Sequence, residues 1–204
     1  MEVDQHGNKL EKNMKIKDRL FHRVKLLSDN TDLYIKSIQG ISSLVEDVLV
    51  NNNKIMFCGN GGSAAESQHM AAEYCATLNH KNPRPGFPAI SLTVDTSFIT
   101  AWTNDFGYVD VFSRQVETHG NAGDLLMCYT TSGTSPNIVS AAKMAKQKGL
   151  NVILFTGENT NIEIKKYCDF IFHAPSSNTA YIQEAHTIIG HEVCLAVEIA
   201  LANK

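Results

Sequence analysis

Five short apolar runs, most of them leading through a Gly, Asn, Ser or Thr into a helical pattern, constrain this chain more than any other feature. They are KIMFC at 54–58, AISL at 89–92, DLLMCY at 124–129, NVILFT at 151–156 and FIFH at 170–173. Runs so short and so continuously apolar suit buried strands, and a helix between successive strands calls for a parallel sheet covered by helices. Two amphipathic helical stretches come before them. The second, roughly Asp32 to Val50, sets Ile35, Ile38, Ile41, Val45 and Val48 at helical spacing, with Asn30-Thr31 as its expected cap. A last helix is expected over about Thr179 to Leu201, carrying Ile182, Ala185, Ile189, Val193, Ala196 and Ala200. There is no internal repeat, low-complexity tract or Pro/Gly linker, and 204 residues suit one domain with a sizeable core. The fold class is α/β.

Charge narrows the function. Eighteen Lys and Arg against 21 Asp and Glu give a formal net charge of -3, with no basic block. That balance argues against nucleic acid and membrane surfaces as partners. No apolar run approaches the ~18 residues of a membrane span. The opening MEVDQHGNKLEKNMKIKDR is charged throughout and lacks the apolar centre of a signal peptide, so residues 1–15 are expected to be a flexible lead-in and 16–204 the domain. Five scattered cysteines, Cys58, Cys75, Cys128, Cys168 and Cys194, form no CxxC pair, and several sit among apolar neighbours. A reducing cytoplasm is the expected home.

In parallel sheets ligands bind at the carboxyl ends of strands. Two loops there are chemically unusual. Gly59-Asn60-Gly61-Gly62-Ser63 follows the first strand and opens the helix AAESQHMAAEYCA. Glycines let a ligand approach the backbone, and a helix N-terminus offers free N–H groups to an anion. The segment is neither GxGxxG nor a Lys-bearing phosphate loop, which disfavours nucleotides, and a plain tight turn explains it equally well. Thr130-Thr131-Ser132-Gly133-Thr134-Ser135-Pro136-Asn137 follows the third strand. Ser135 is placed as an N-cap and Pro136 as a first helical residue. Capping accounts for one or two of the five hydroxyls; the cluster as a whole suits a phosphate dianion.

The third signal lies on helices. His69 and Glu73 are four residues apart, about 40° apart on one face, and Gln183, Thr187 and His191 make a similar stripe on the last helix. Together His69, Glu73, Gln183 and His191 offer either N/O ligands for one divalent metal or a carboxylate base with an imidazole acid. Periodicity leaves open whether the two helices meet. His6, His22 and His80 are expected to be exposed; His119, His173 and His186 are undecided.

CGNGGSAAESQHMAAE, RPGFPAISLTVDTS, NDFGYVDVFSRQVE, TSGTSPN and IQEAHTIIGH resemble, in order, the motifs of the sedoheptulose 7-phosphate isomerase (phosphoheptose isomerase) family within the sugar-isomerase, or SIS, superfamily. The resemblance runs from about Lys54 to Cys194 and implies a single SIS domain with a five-stranded parallel sheet, helices on its faces and N-terminal helices. It implies a homotetramer with active sites at subunit interfaces, and conversion of sedoheptulose 7-phosphate to D-glycero-D-manno-heptose 7-phosphate on the way to activated heptoses of lipopolysaccharide or capsule. Carried over by position, Glu73 and His191 would be the acid/base pair, and His69, Glu73, Gln183 and His191 would hold zinc. Asn60, Gly61, Gly62, Asn104, Asp105, Thr130, Thr131, Ser132 and Ser135 would contact the sugar phosphate, with Ser63 nearby.

The sequence departs from the family at several points. Ala76-Thr77-Leu78 stands where many members have Gly-Arg, Tyr181 replaces an Arg often found before Gln183, and Thr130 and Thr134 replace the common Ser and Asn. These changes leave room for another heptose or related sugar phosphate. A non-catalytic SIS protein that binds a replication initiator or senses sugar phosphates is the rival reading. The presence of both His69 and His191 and the lack of an appended DNA-binding module weigh against it. IQEAH and NDFGY weigh against a hexose-phosphate isomerase.

Overall fold

Each apolar run becomes a strand because both faces of the sheet are covered. In the computed structural model, which describes residues 15–158 and 162–202, the strands are β1 (Ile55–Gly59), β2 (Ala89–Ser91), β3 (Leu125–Tyr129), β4 (Asn151–Thr156) and β5 (Phe170–His173). The lead-in expected over 1–15 falls almost wholly, and His6 wholly, outside the described residues. All pairings are parallel, in the order β2-β1-β3-β4-β5. Alternate strand residues enter two cores. Ile55, Phe57, Leu125, Met127, Tyr129, Ile153 and Phe155 face one; Met56, Cys58, Leu126, Cys128, Val152 and Leu154 face the other. That period of two with nothing polar on either side is why the runs read as continuously apolar.

The helices are α1 (Ile16–Ser28), α2 (Thr31–Val50), α3 (Gly62–Cys75), α4 (Thr96–Phe106), α5 (Val111–His119), α6 (Pro136–Gln147), the short α7 (Ile162–Lys165) and α8 (Thr179–Leu201). Ile41, Val45 and Val48 of α2, Met70 and Tyr74 of α3, and Ile182, Ile189 and Val193 of α8 fill the first core. Val111, Phe112 and Val116 of α5 with Ile138, Ala141, Ala142 and Ala145 of α6 fill the second. Ile35, expected on the buried stripe of α2, is exposed instead. The expected cap of α2 also differs. Asn30 occupies the N-cap position, but its Nδ2 donates to Leu26 O at 2.8 Å and Thr31 Oγ1 donates to Ser28 O at 2.9 Å. Only two residues separate the helices, so these side chains satisfy the open carbonyls of α1 rather than the N–H groups of α2.

The strand order reverses direction between β1 and β3, and the crevice outside the carboxyl ends at such a switch point is where open α/β sheets bind ligands. Cys58 pairs with Cys128 and Gly59 with Tyr129, so the glycine loop and the hydroxyl loop leave the sheet side by side at that point. All five cysteines are free. Among the described residues no helix is long and apolar enough to cross a membrane.

Candidate active site

The glycine loop turns sharply because Gly61, at the N-cap of α3, adopts φ 56°, a conformation that side chains disfavour. Asn60 is fixed by two partners from other elements. Its Nδ2 donates to Asn137 Oδ1 at 2.9 Å, while its Oδ1 accepts from Asn137 Nδ2 at 2.8 Å and from the Tyr108 hydroxyl at 2.9 Å. Burial raises the Tyr108 phenol above its ordinary value, against the opposing effect of Asn137. Gly62 is needed for a close approach: a Cβ there would lie 2.5 Å from Gln183 Nε2, so the Gln183 amide rests on the loop backbone. Ser63 is buried.

The hydroxyl loop is organised around its own side chains. Thr130 is buried, and its Oγ1 lies 3.2 Å from Ser135 Oγ. Ser132 Oγ accepts from Thr134 N at 3.2 Å and Thr134 Oγ1 at 3.0 Å. Ser135 holds the N-cap position ahead of Pro136 but makes no side-chain cap bond. Its hydroxyl is turned toward Thr130, which corrects the expected capping role and leaves it facing the loop interior. Thr131 accepts from Gly157 N through its carbonyl at 3.2 Å. Asn104 and Asp105 bond to each other at 2.8 Å, exposed near the end of α4. Among the described residues their side chains bond to neither loop; the segment that follows them reaches the glycine loop through Tyr108 instead.

α3 and α8 do meet, and their chemistry converges. His69 Nε2 lies 3.3 Å from Glu73 Oε1 and 3.2 Å from His191 Nε2, with the two imidazole rings at 76°. Glu73 is about a quarter exposed and His69 nearly half, so the cluster is open to a small ligand. The donor atoms of His69, Glu73 and His191 all lie within 4.8 Å of one another, a group able to hold a divalent metal ion. Ligands 2.0–2.1 Å from a tetrahedral zinc stand about 3.3 Å apart, close to the two shorter separations seen here.

Behind this cluster is a residue that the sequence reading passed over. Glu66 lies one turn before His69. Its Oε2 accepts from Thr187 Oγ1 at 2.8 Å, and its buried Oε1 has no partner among the described residues. Burial raises the Glu66 carboxyl above the usual range, opposed by the Thr187 hydrogen bond and the nearby His69 and His191. The signal was available: Glu66, His69 and Glu73 are spaced three and four apart on one helix face. Tyr108 and Asn137 had no comparable local signal. Of the undecided histidines, His186 is structural, ringed by Tyr129, Phe155 and Phe172, with burial lowering it to about 4. His173 Nδ1 lies 3.2 Å from Gly157 O, and His119 is exposed.

A profile of the SIS domain matches residues 22–157. The phosphoheptose isomerase of Akkermansia muciniphila is 48% identical over 161 residues, 79% of this chain and 84% of that protein. The phosphoheptose isomerase of Clostridium acetobutylicum is 45% identical over 183 residues, 90% of this chain and 91% of that protein. The chain belongs to the phosphoheptose isomerase family. Among solved structures, a phosphoheptose isomerase from Francisella tularensis superposes with a TM-score of 0.85 at 32% identity, covering 90% of this chain and 96% of that one. The phosphoheptose isomerase of Neisseria gonorrhoeae gives 0.83 at 33%, covering 90% and 97%. At 90% of the chain, these superpositions cover more of it than the matched profile does.

Proposed function

We propose that the protein isomerises sedoheptulose 7-phosphate to D-glycero-D-manno-heptose 7-phosphate, an entry step to activated heptose for lipopolysaccharide or capsule. One observation carries this reading: Glu73 and His191 are gathered around His69 at 3.3 and 3.2 Å on two crossing helices, in a chain whose relatives are phosphoheptose isomerases.

Ketose–aldose isomerisation moves a proton from C1 to C2 through an enediolate, while the oxygen on C2 gains a proton and that on C1 loses one. Glu73 is the group to take the C1 proton and return it to C2. His191 serves the oxygens, donating to O2 and accepting from O1. Thr130, Thr131, Ser132 and Ser135 anchor the phosphate at the head of α6, where the positive end of the helix dipole favours an anion. Asn60 and Gln183, held at the glycine loop, and Asn104 and Asp105 of α4 are assigned to the sugar hydroxyls. His69, Glu73 and His191, with Gln183, would hold a zinc ion, which when bound polarises the ketose carbonyl. The donor set of two imidazoles and oxygens fits zinc, and no cysteine belongs to the cluster.

A homotetramer in the cytoplasm completes the proposal. Ile16, Leu20, Phe21, Val24 and Leu27 of α1 are exposed and the helix buries no residue, which supports its being covered by another subunit. The test is direct. Purified protein incubated with sedoheptulose 7-phosphate, coupled to a heptose 7-phosphate kinase, should yield heptose bisphosphate by mass spectrometry. No product, with the same protein turning over a different ketose phosphate, would overturn the substrate assignment.

A further inference from the structure

The last turn of α3 is held from outside the helix. Its terminal carbonyls lack intrahelical donors apart from the Ala76 N–H, which bonds to Ala72 O. Phe87 N donates to Tyr74 O at 3.0 Å, and Arg84, on the segment leading to β2, supplies the other donors. Its Nη2 donates to the carbonyl of Glu73 at 3.0 Å, and its Nη1 donates to those of Tyr74 at 2.9 Å and Ala76 at 3.3 Å. The guanidinium sits over the Phe87 ring, 3.7 Å from the centroid. Its counter-charge is Glu198 of α8, whose Oε1 lies 2.8 Å from Nη2. The same carboxylate accepts from Leu78 N at 2.8 Å, Asn79 N at 3.1 Å and Thr77 Oγ1 at 3.2 Å. The Arg84 and Glu198 side chains are only 6% and 7% exposed, so this is a buried, multiply bonded pair.

A buried ion pair adds little net stability over apolar residues of the same volume, because both charges lose their hydration; what it supplies is defined geometry. Both ends of this one are attached to the proposed proton-transfer groups. Arg84 grips the backbone of Glu73 itself. Glu198 stands seven residues after His191, two turns along the same side of α8. We propose that Arg84 and Glu198 are positioning residues: by locking the end of α3 to α8 they set the separation of Glu73 and His69 from His191.

For its effect on rate the inference rests on the isomerase reading; for its effect on metal affinity it does not. Arg84→Lys keeps the charge, but a single ammonium cannot fork to three carbonyls as the guanidinium does. Glu198→Gln removes the charge and keeps one of the two acceptor oxygens. Each variant is checked for folding by thermal unfolding, then compared with wild type in kcat, KM and zinc affinity, the last by competition with a chromophoric chelator. Expected are a ~10–100-fold fall in kcat with KM unchanged, and zinc binding weakened by ~10–100-fold. Folded variants with wild-type kcat and zinc affinity, or with only KM raised, overturn the proposal. So does a failure of both variants to fold, since the pair would then be holding the fold rather than aiming one helix at the other. Wild-type protein that binds zinc without converting the ketose refutes the isomerase reading alone and leaves the zinc arm to decide. Wild type that does neither sinks both.

Discussion

The hydroxyl loop and the imidazole–carboxylate cluster are assembled in opposite ways. Thr130 and Ser135 meet at 3.2 Å across five residues of chain, within one strand-to-helix turn. His69 and His191 meet at the same distance across 122 residues, brought together only because α3 and α8 pack on one face of the sheet. The loop's geometry is therefore set by its own backbone and hydroxyls. The cluster's geometry is set by helix packing and by groups such as Arg84 and Glu198 that touch neither imidazole. Damage to the loop should weaken binding locally; damage to the cluster, even from a distance, should remove turnover.

The strongest way to break this contrast is Glu73→Gln, which keeps the shape and removes the base. It should lower kcat by ~10²–10⁴-fold while the thermal midpoint stays near that of wild type. A folded variant with near-normal turnover removes Glu73 from the proton transfer. If metal also contributes to rate, extensive chelation should abolish activity and added zinc restore it, with His69→Ala losing both metal and rate. Full activity in verified metal-free protein would end the catalytic role of zinc and leave the Glu73/His191 pair standing.

The inner side of α8 offers a control for its outer side. His186 is lowered to about 4 by burial, below the ordinary 6.5 of the unfolded chain. Above pH 6.5 both states are neutral and stability does not depend on this group. As pH falls from about 6.5 to about 4 the unfolded chain takes up a proton that the folded one refuses. Stability should then drop by roughly 3 kcal/mol and level off below that window. His186→Phe, placed among the surrounding aromatic rings, should flatten this part of the urea-midpoint profile between pH 4 and 6.5. An unchanged acid slope would assign it to other groups.

Smaller effects are expected at the loop. Ser132→Ala with Ser135→Ala should raise KM roughly tenfold or more, the worth of hydrogen bonds to a charged ligand, and leave kcat nearly unchanged. Ser135 makes no cap bond but meets the buried Thr130 hydroxyl, so Ser135→Ala alone should cost ~1 kcal/mol through the loss of that hydrogen bond. An equal loss from Ser135→Ala in a Thr130→Val background would instead mean that the hydroxyl caps α6 in solution. Smallest of all, Tyr108→Phe removes one donor to Asn60 and should raise KM about threefold, the value of one neutral hydrogen bond. No change would detach the segment after α4 from the site.

Periodicity and local chemistry settle much of this protein at the level of sequence. The five strands fall within a residue of their apolar runs, because a strand buried on both faces leaves no polar residue to blur its pattern. α8 spans the expected Thr179–Leu201, and the glycine and hydroxyl loops are contiguous, so their composition alone reveals them. Side-chain direction was not legible in the same way. Ser135 and Asn30 stand where caps stand, yet one hydroxyl turns to Thr130 and one amide to Leu26, because each had a competing partner of similar hydrogen-bonding strength nearby. Gln183, Thr187 and His191 form a stripe in sequence, but Gln183 rests on Gly62, Thr187 donates to Glu66, and only His191 is bonded to His69. The sequence by itself determined the parallel α/β fold, the family and the residue types available for proton transfer. Tertiary structure alone decided that α3 and α8 meet, that Glu66 lies beneath the histidines and that Arg84 and Glu198 bind the two helices together, since contacts between residues more than a hundred positions apart depend on packing that no local period encodes.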